Sequence, residues 1–315
     1  MKRQILLFTF LFFILGIKAQ NFTRPNEWKK YKREVFVTLG TSNFLGDLGG
    51  KAKEGRDYSP ADLNFNQSRV AFGFGGRYKV QRWANVVAKF SYLNVRGDDA
   101  SSKEPIRFNR NLNFKSNIYE ISARVEAGYQ STKRGASKYG VRKNYGRMKN
   151  ITHNLYGFVG IGGFYYNPKG RRENGDWVAL KPLNTEGQGL AGGAAAYSKY
   201  SISFPIGAYY KLTLNKKWSL GIEFSYRPTR TDYIDDVSTV YYDPQKLAAA
   251  YGSLSAEMSD PSLGISPYQT ATAPNGDGTG AQRGDKQKDS YMSLEITASY
   301  IFKKQRKSAR LRSKF

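Results

Sequence analysis

Apolar and polar side chains alternate with a period of two over several long stretches, the mark of strands with one greasy face. From Tyr119 to Tyr129 the residues Tyr119, Ile121, Ala123, Val125, Ala127 and Tyr129 fall on one side, and Glu120, Ser122, Arg124, Glu126 and Gly128 on the other. The same rhythm sets Val70, Phe72, Phe74, Gly76, Tyr78 and Val80 against Arg69, Ala71, Gly73, Gly75, Arg77 and Lys79. It recurs over Tyr200 to Leu212, interrupted by Pro205, over Trp218 to Arg227, and over Met292 to Phe302. Three further strands, at about Glu34 to Asn43, Ala84 to Val95 and Leu155 to Tyr166, carry apolar residues on both faces. The total of eight predicts an all-β fold, an eight-stranded antiparallel transmembrane β-barrel with long extracellular loops.

The spacing of the strands supplies an orientation. Bacterial barrels keep both termini in the periplasm, with short periplasmic turns and longer outer loops. The links at about 46–66, 96–113, 167–199 and 228–289 are long, whereas Gln81 to Trp83 and Asn215 to Lys217 are tight. One link, 131–151, is long on the periplasmic side. Gly, Ser, Pro and Asp crowd 253–289, so mobility is expected there.

Ahead of the strands, Lys2 and Arg3 precede an apolar run from Ile5 to Ile17, with Ala19 before Gln20. This reads as a secretory signal peptide over 1–19, followed by a periplasmic segment 20–33, a barrel over 34–302 and a basic tail over 303–315. Outer-membrane localisation follows as the expectation. The absence of cysteine removes disulfides, thiolate metal sites and a lipid-modified cysteine.

Candidate chemistry is sparse. The inward face gathers Arg69, Arg77, Lys89, Glu120, Arg124, Glu126, Glu223, Arg227 and Glu295. These could line a selective pore, but an eight-stranded barrel is only wide enough for side chains to fill it, which favours mutual pairing. The glycines Gly73, Gly75 and Gly76, and Gly157, Gly160, Gly162 and Gly163, precede no helix as a phosphate loop would, and read as space inside a narrow barrel. His153 is the single histidine, and no Ser and carboxylate near it in sequence complete a catalytic set. The clusters Asp98–Asp99 and Asp232, Asp235 and Asp236 could attract calcium, but the loop pattern of a calcium site is missing, and a solvated or loop-ordering role is favoured. No enzyme activity, cofactor or metal is expected.

The formal charge of +25 raises nucleic acid as a partner, which an exported protein rarely meets. Lipid phosphates or an acidic protein fit better. The cations gather on the expected periplasmic side: Arg24, Lys29, Lys30, Lys32 and Arg33 before the first strand, and Lys133, Arg134, Lys138, Arg142, Lys143, Arg147 and Lys149 in the long link. Lys303, Lys304, Arg306, Lys307, Arg310, Arg312 and Lys314 fill the tail. Such a face attracts an acidic partner in a salt-sensitive way, or forms a fringe against anionic lipid.

Several loop strings go beyond what a barrel pattern dictates. They are Glu27-Trp-Lys-Lys-Tyr-Lys-Arg-Glu34, Asn43-Phe-Leu-Gly-Asp-Leu-Gly-Gly50, Asp57-Tyr-Ser-Pro-Ala-Asp-Leu-Asn-Phe-Asn-Gln67, Arg96-Gly-Asp-Asp99, Gly157-Phe-Val-Gly-Ile-Gly-Gly-Phe164 and Thr231-Asp-Tyr-Ile-Asp-Asp-Val-Ser238. Through them the chain resembles the PorG-like family of outer-membrane barrels of the type IX secretion system of Bacteroidetes, over nearly the whole mature chain. The resemblance implies a non-enzymatic subunit that connects the outer membrane to a periplasmic ring made of a lipoprotein and its partner protein. The alternative is a small transport or surface-interaction barrel independent of secretion.

Overall fold

A computed structural model of the chain describes residues 27–48, 67–102, 104–132, 152–214, 217–265, 282–285 and 287–303. The signal segment lies outside these residues. Eleven strands form one sheet: β1 (Arg33–Leu45), β2 (Arg69–Lys79), β3 (Ala84–Asp98), β4 (Asn113–Thr132), β5 (Thr152–Tyr165), β6 (Pro168–Arg171), β7 (Trp177–Ala179), β8 (Tyr200–Ser203), β9 (Ile206–Thr213), β10 (Trp218–Pro228) and β11 (Ser290–Phe302). The sheet closes because β1 pairs with β2 on one side and β11 on the other, while β5 bridges β4 and β9. β8 and β9 are one barrel strand, both paired with β5 and divided at Phe204–Pro205. Proline has no N–H for the ladder, and the Pro205 carbonyl still accepts from Gly160 N at 2.9 Å. The result is a closed eight-stranded antiparallel barrel.

Residues on alternate sides of each strand meet different solvents. Val37, Leu39, Val70, Phe74, Ile121, Val125, Val159, Ile161, Ile222 and Ile296 point outward and are exposed, whereas Glu126, Glu223 and Thr297 on the intervening positions are buried. An unbroken exposed apolar belt around a closed barrel is a surface suited to hydrocarbon, not water. Tyrosines border it. Tyr92, Tyr119, Tyr165 and Tyr200 pack at tilted angles across adjacent strands with centroids 5.3, 6.3 and 5.2 Å apart. At the other border Trp218, Tyr300 and Phe302 pack at 5.1 Å spacings, near His153 and Tyr210. Tyr119 and Tyr129 bracket the belt on β4; their separation of about ten residues, at ~3.3 Å per residue and a tilt near 40°, spans roughly 25 Å, the height of a membrane barrel's apolar band.

The three strands with apolar residues on both faces are explained by what fills the interior. Phe44, Leu93, Val95, Phe114, Ile118, Phe164 and Tyr291 form a buried core at the end of the barrel from which the long loops leave. Phe44 meets Phe114 edge-on at 4.7 Å, and Phe164 meets Tyr291 at 5.7 Å. These strands therefore bury apolar side chains inside and expose others to lipid.

Above that core the long links fold into a cap. The expectation of mobility across 253–289 is corrected for the described part. Helix α1 (Pro105–Arg110) lies in the link after β3, and α2 (Pro244–Tyr251) and α3 (Ser253–Ser259) in the link after β10. Asp243 caps α2 by accepting from Gln245 N and Lys246 N. Ser255, Met258 and Ser259 of α3 are buried, the two hydroxyls donating to the carbonyls of Leu183 and Thr185. Small polar residues that read as a flexible linker are here hydrogen-bond donors to a neighbouring loop.

Candidate functional site

Five cations and five carboxylates alternate along the inside of the barrel in one continuous chain. Lys211 of β9 pairs with Glu34 of β1, and Glu34 with Arg77 of β2 at 2.5 Å. Arg77 holds Glu126 of β4 at 2.7 Å, and Glu126 touches Arg124 at 3.1 Å. Arg124 then reaches Glu223 of β10 at 2.5 Å, Glu223 meets Lys89 of β3 at 3.0 Å, and Lys89 meets Glu295 of β11 at 2.8 Å. Arg227 of β10 closes the series, 3.7 Å from Glu295 and 3.2 Å from Glu120. Glu120 in turn accepts from Ser203 at 2.8 Å and Tyr291 at 2.7 Å, which ties the chain to the apolar core.

The arrangement satisfies the charges that period-two folding forces inside. An unpaired ion in this environment would cost several kcal/mol, so each group has at least one opposite partner. Aromatic rings cover the guanidinium faces: Arg77 lies over Tyr209 and Phe36, and Arg124 over Phe158, at 4.5, 4.9 and 4.2 Å. All ten charged side chains are at most 8% exposed. They bridge facing walls of the barrel, Lys89 of β3 reaching Glu223 of β10 and Glu295 of β11.

Glycine makes the remaining room. A Cβ on Gly73 would come within 2.7 Å of Thr38 Oγ1 and 2.8 Å of Lys89 Cε, and one on Gly162 within 2.8 Å of Ser203 Oγ. Gly76 and Gly163 face outward with open space around them, so the spacing role belongs only to the inward members of those clusters.

Eight of the nine interior charges named from sequence belong to this chain. Arg69 does not; it sits at the loop-end rim of β2, partly exposed, donating to the Ser68 carbonyl at 2.9 Å. Its inward parity is correct, but β2 begins there and the wall no longer encloses it. Sequence reasoning missed Glu34 and Lys211. Both keep inward parity, opposite Val35 and Tyr210, and that parity is the signal that finds them.

The cap forms a second buried polar network. Arg283 donates to Glu186 at 3.0 Å, to the Asp236 carbonyl at 2.6 Å and to the Ser259 carbonyl at 3.1 Å. Glu186 also accepts from Ser238 N and Thr239 N at 2.9 and 3.2 Å. Arg110 links Asp99 at 2.7 Å to the carbonyls of Asp47 and Arg283, both at 2.8 Å. Asp236 takes a left-handed backbone conformation and accepts from Thr185 at 2.6 Å and from Tyr197, itself stacked on Tyr233 at 4.4 Å. Asp235 accepts from Leu48 N at 3.2 Å and Val237 N at 3.1 Å, and Asp232 from Ser238 at 2.6 Å. The Asp232, Asp235 and Asp236 cluster thus orders loops and is buried, not solvated.

Burial pushes several of these carboxyls up. Asp47 rises to about 7, chiefly by desolvation, with the amide of Asp285 opposing. Desolvation lifts Asp232 and Asp236 to about 6, against the hydrogen bond from Ser238 and the charge of Arg283 respectively. Among the described residues no group of His, Asp or Glu side chains has the geometry to hold a metal ion.

At the end carrying the short turns, Lys29, Lys30, Arg33 and Lys303 are exposed, and Lys32 lies 5.2 Å from the Trp28 ring and 5.5 Å from that of Tyr78. Arg24, the link cations Lys133, Arg134, Lys138, Arg142, Lys143, Arg147 and Lys149, and the tail cations from Lys304 to Lys314 lie outside the described residues. His153 Nδ1 is 2.7 Å from the Tyr210 hydroxyl.

No family model and no curated protein matches this chain. Among solved structures it is similar to Ail, the attachment invasion locus protein of Yersinia pestis, at 12% identity over 86% of this chain and 99% of that one, with a TM-score of 0.33. The Neisserial surface protein NspA aligns at 8% identity over 86% and 97%, TM-score 0.34. The outer membrane protein AlkL aligns at 12% identity over 92% and 97%, TM-score 0.33. Likeness at this level carries no argument about function, and the barrel described above rests on its own strand pairing.

Proposed function

We propose that this chain is an outer-membrane barrel, with both termini in the periplasm, that works as a docking subunit: its turn-end face holds the periplasmic ring of a type IX protein secretion machine. The observation that carries this reading is the filled interior. A barrel whose lumen is occupied by paired side chains acts through its two ends, and the end with the short turns exposes Lys29, Lys30, Arg33 and Lys303. The PorG-like loop strings supply the partner, a ring lipoprotein and its companion. On this reading the chain is no enzyme, and His153 serves the aromatic border through Tyr210.

The ordered cap favours one alternative, a surface-interaction barrel that acts at its outer end. Purification of the tagged full chain from native membranes in mild detergent separates the two. Ring proteins that accompany it at low salt and are lost at high salt, on deleting 303–315, or on neutralising Lys133, Arg134 and Lys138 with their neighbours to Lys149, are expected. A barrel that emerges alone at every salt concentration would overturn the docking role.

A further inference from the structure

Outside the aromatic border at the loop end, the outer wall of β3, β4 and β6 carries a row of like charges. Arg96 stands directly opposite Lys115 in the β3–β4 register, and Lys115 directly opposite Lys169 in the β4–β6 register. Like charges on facing strand positions are about 5 Å apart at Cβ and destabilise the pairing. Asp98 answers part of this, 3.0 Å from Arg96 and 3.8 Å from Arg171. Trp177 of β7 lies among the cations, its ring 4.0 Å from the Lys115 ammonium and 5.8 Å from the Arg96 guanidinium.

The height of the row identifies what meets it. Tyr92 and Tyr119 face each other in the border, and Arg96 and Lys115 lie four residues further out on the same two strands. At ~3.3 Å per residue and a ~40° tilt that is roughly 10 Å beyond the border, within reach of the polar headgroup layer once long side chains bend back toward it. On β1 and β10 the outward positions at the loop end are Thr41 and Pro228, with the exposed Arg230 two residues further on, while Asn43 is buried against Ser68. What sets β3, β4 and β6 apart is that Arg96, Lys115 and Lys169 stand opposite one another on paired strands.

We infer that Arg96, Lys115 and Lys169, with Trp177 as an apolar platform, form a binding surface on the outer wall for the phosphate groups of a phosphorylated glycolipid of the surrounding leaflet. Phosphate between the three cations removes their mutual repulsion, and the indole packs against the sugar or upper acyl carbons. This surface is independent of any secretion ring, since it sits at the opposite end of the barrel from the proposed docking face.

The test uses the full chain folded in maltoside micelles, titrated with diphosphorylated lipid A, with the same lipid after enzymatic dephosphorylation, and with inorganic phosphate, with bound lipid read by native mass spectrometry. The expected result is retention of the phosphorylated lipid, loss of about tenfold or more in affinity for the dephosphorylated one, and no displacement by equimolar inorganic phosphate. The triple variant R96Q/K115Q/K169Q is expected to lose about tenfold or more, while K29Q/K30Q at the other end binds as the unaltered chain does. Heat-dependent gel mobility reports folding; should the triple variant fail to fold, K115Q alone is expected to lose about threefold. Equal affinity for the two lipids, unchanged affinity in the substituted chains, or displacement by equimolar phosphate would each overturn the inference.

Discussion

Arg77 grips Glu126 by two parallel contacts across the barrel interior, Nε to Oε2 at 2.7 Å and Nη2 to Oε1 at 3.1 Å. The two residues lie on strands that are not neighbours, β2 and β4, so the fork spans the lumen over β3. Bidentate geometry gives this pair direction as well as charge. Removing one partner strands the other in a water-poor interior. Glu126→Leu is expected to destabilise the barrel by about 3–5 kcal/mol, seen as an earlier urea midpoint in the gel-mobility transition. A midpoint unchanged from the parent chain would mean that the pair is not desolvated as described.

The filled lumen makes an electrical prediction. In planar bilayers the purified chain is expected to show no stable conductance steps, because Lys89 of β3 bridges the interior to Glu223 of β10 and Glu295 of β11. Regular ohmic steps from the parent chain would show that the interior opens, and would revive a transport role.

Gly73 and Gly163 form a matched pair for the packing argument. Gly73→Ala drives a methyl group toward Thr38 and Lys89 and is expected to cost about 1–3 kcal/mol of stability. Gly163→Ala faces outward into open space and is expected to change stability by roughly 0.5 kcal/mol or less. Similar effects at both sites in the same urea titration would contradict the inward placement.

In the cap, the raised carboxyls set a direction with pH. Asp47 at about 7, and Asp232 and Asp236 at about 6, bind protons more tightly folded than unfolded, where 3.8 is the ordinary value. The folded cap therefore holds more protons between pH 4 and 7, and its stability falls as pH rises through that window. Amide hydrogen exchange at Leu48 and Val237, corrected for the intrinsic rate, is expected to show more protection at pH 5.5 than at 7.5. Asp47→Asn keeps an acceptor for the Asp285 amide at 3.0 Å and is expected to flatten the upper part of this dependence. A cap that gains protection on going from pH 5.5 to 7.5 would refute the sign.

Arg283 touches Glu186, Asp236 and Ser259 together. Arg283→Met is expected to open the cap to limited proteolysis while the barrel keeps its folded gel mobility, since the two networks share no charged residue. Loss of both at once would show that cap and barrel fold as one unit.

The barrel itself was legible in the residues because a strand in a membrane wall has only two faces, and lipid on one of them enforces a period of two. Val125 and Glu126 cannot exchange places without putting a carboxylate in hydrocarbon, so alternation alone assigns inside and outside. The untidy strands hid an apolar core whose existence depends on Phe44, Phe114, Phe164 and Tyr291 converging from four separate strands. Partner choice was beyond the sequence for the same reason: parity places Lys89 inside, but only the curvature and register of the closed sheet bring it between Glu223 and Glu295. The cap was least legible. Arg283, Glu186 and Asp236 lie in segments whose composition reads as loop, and their order comes from hydrogen bonds between residues far apart in the chain, which no local pattern encodes.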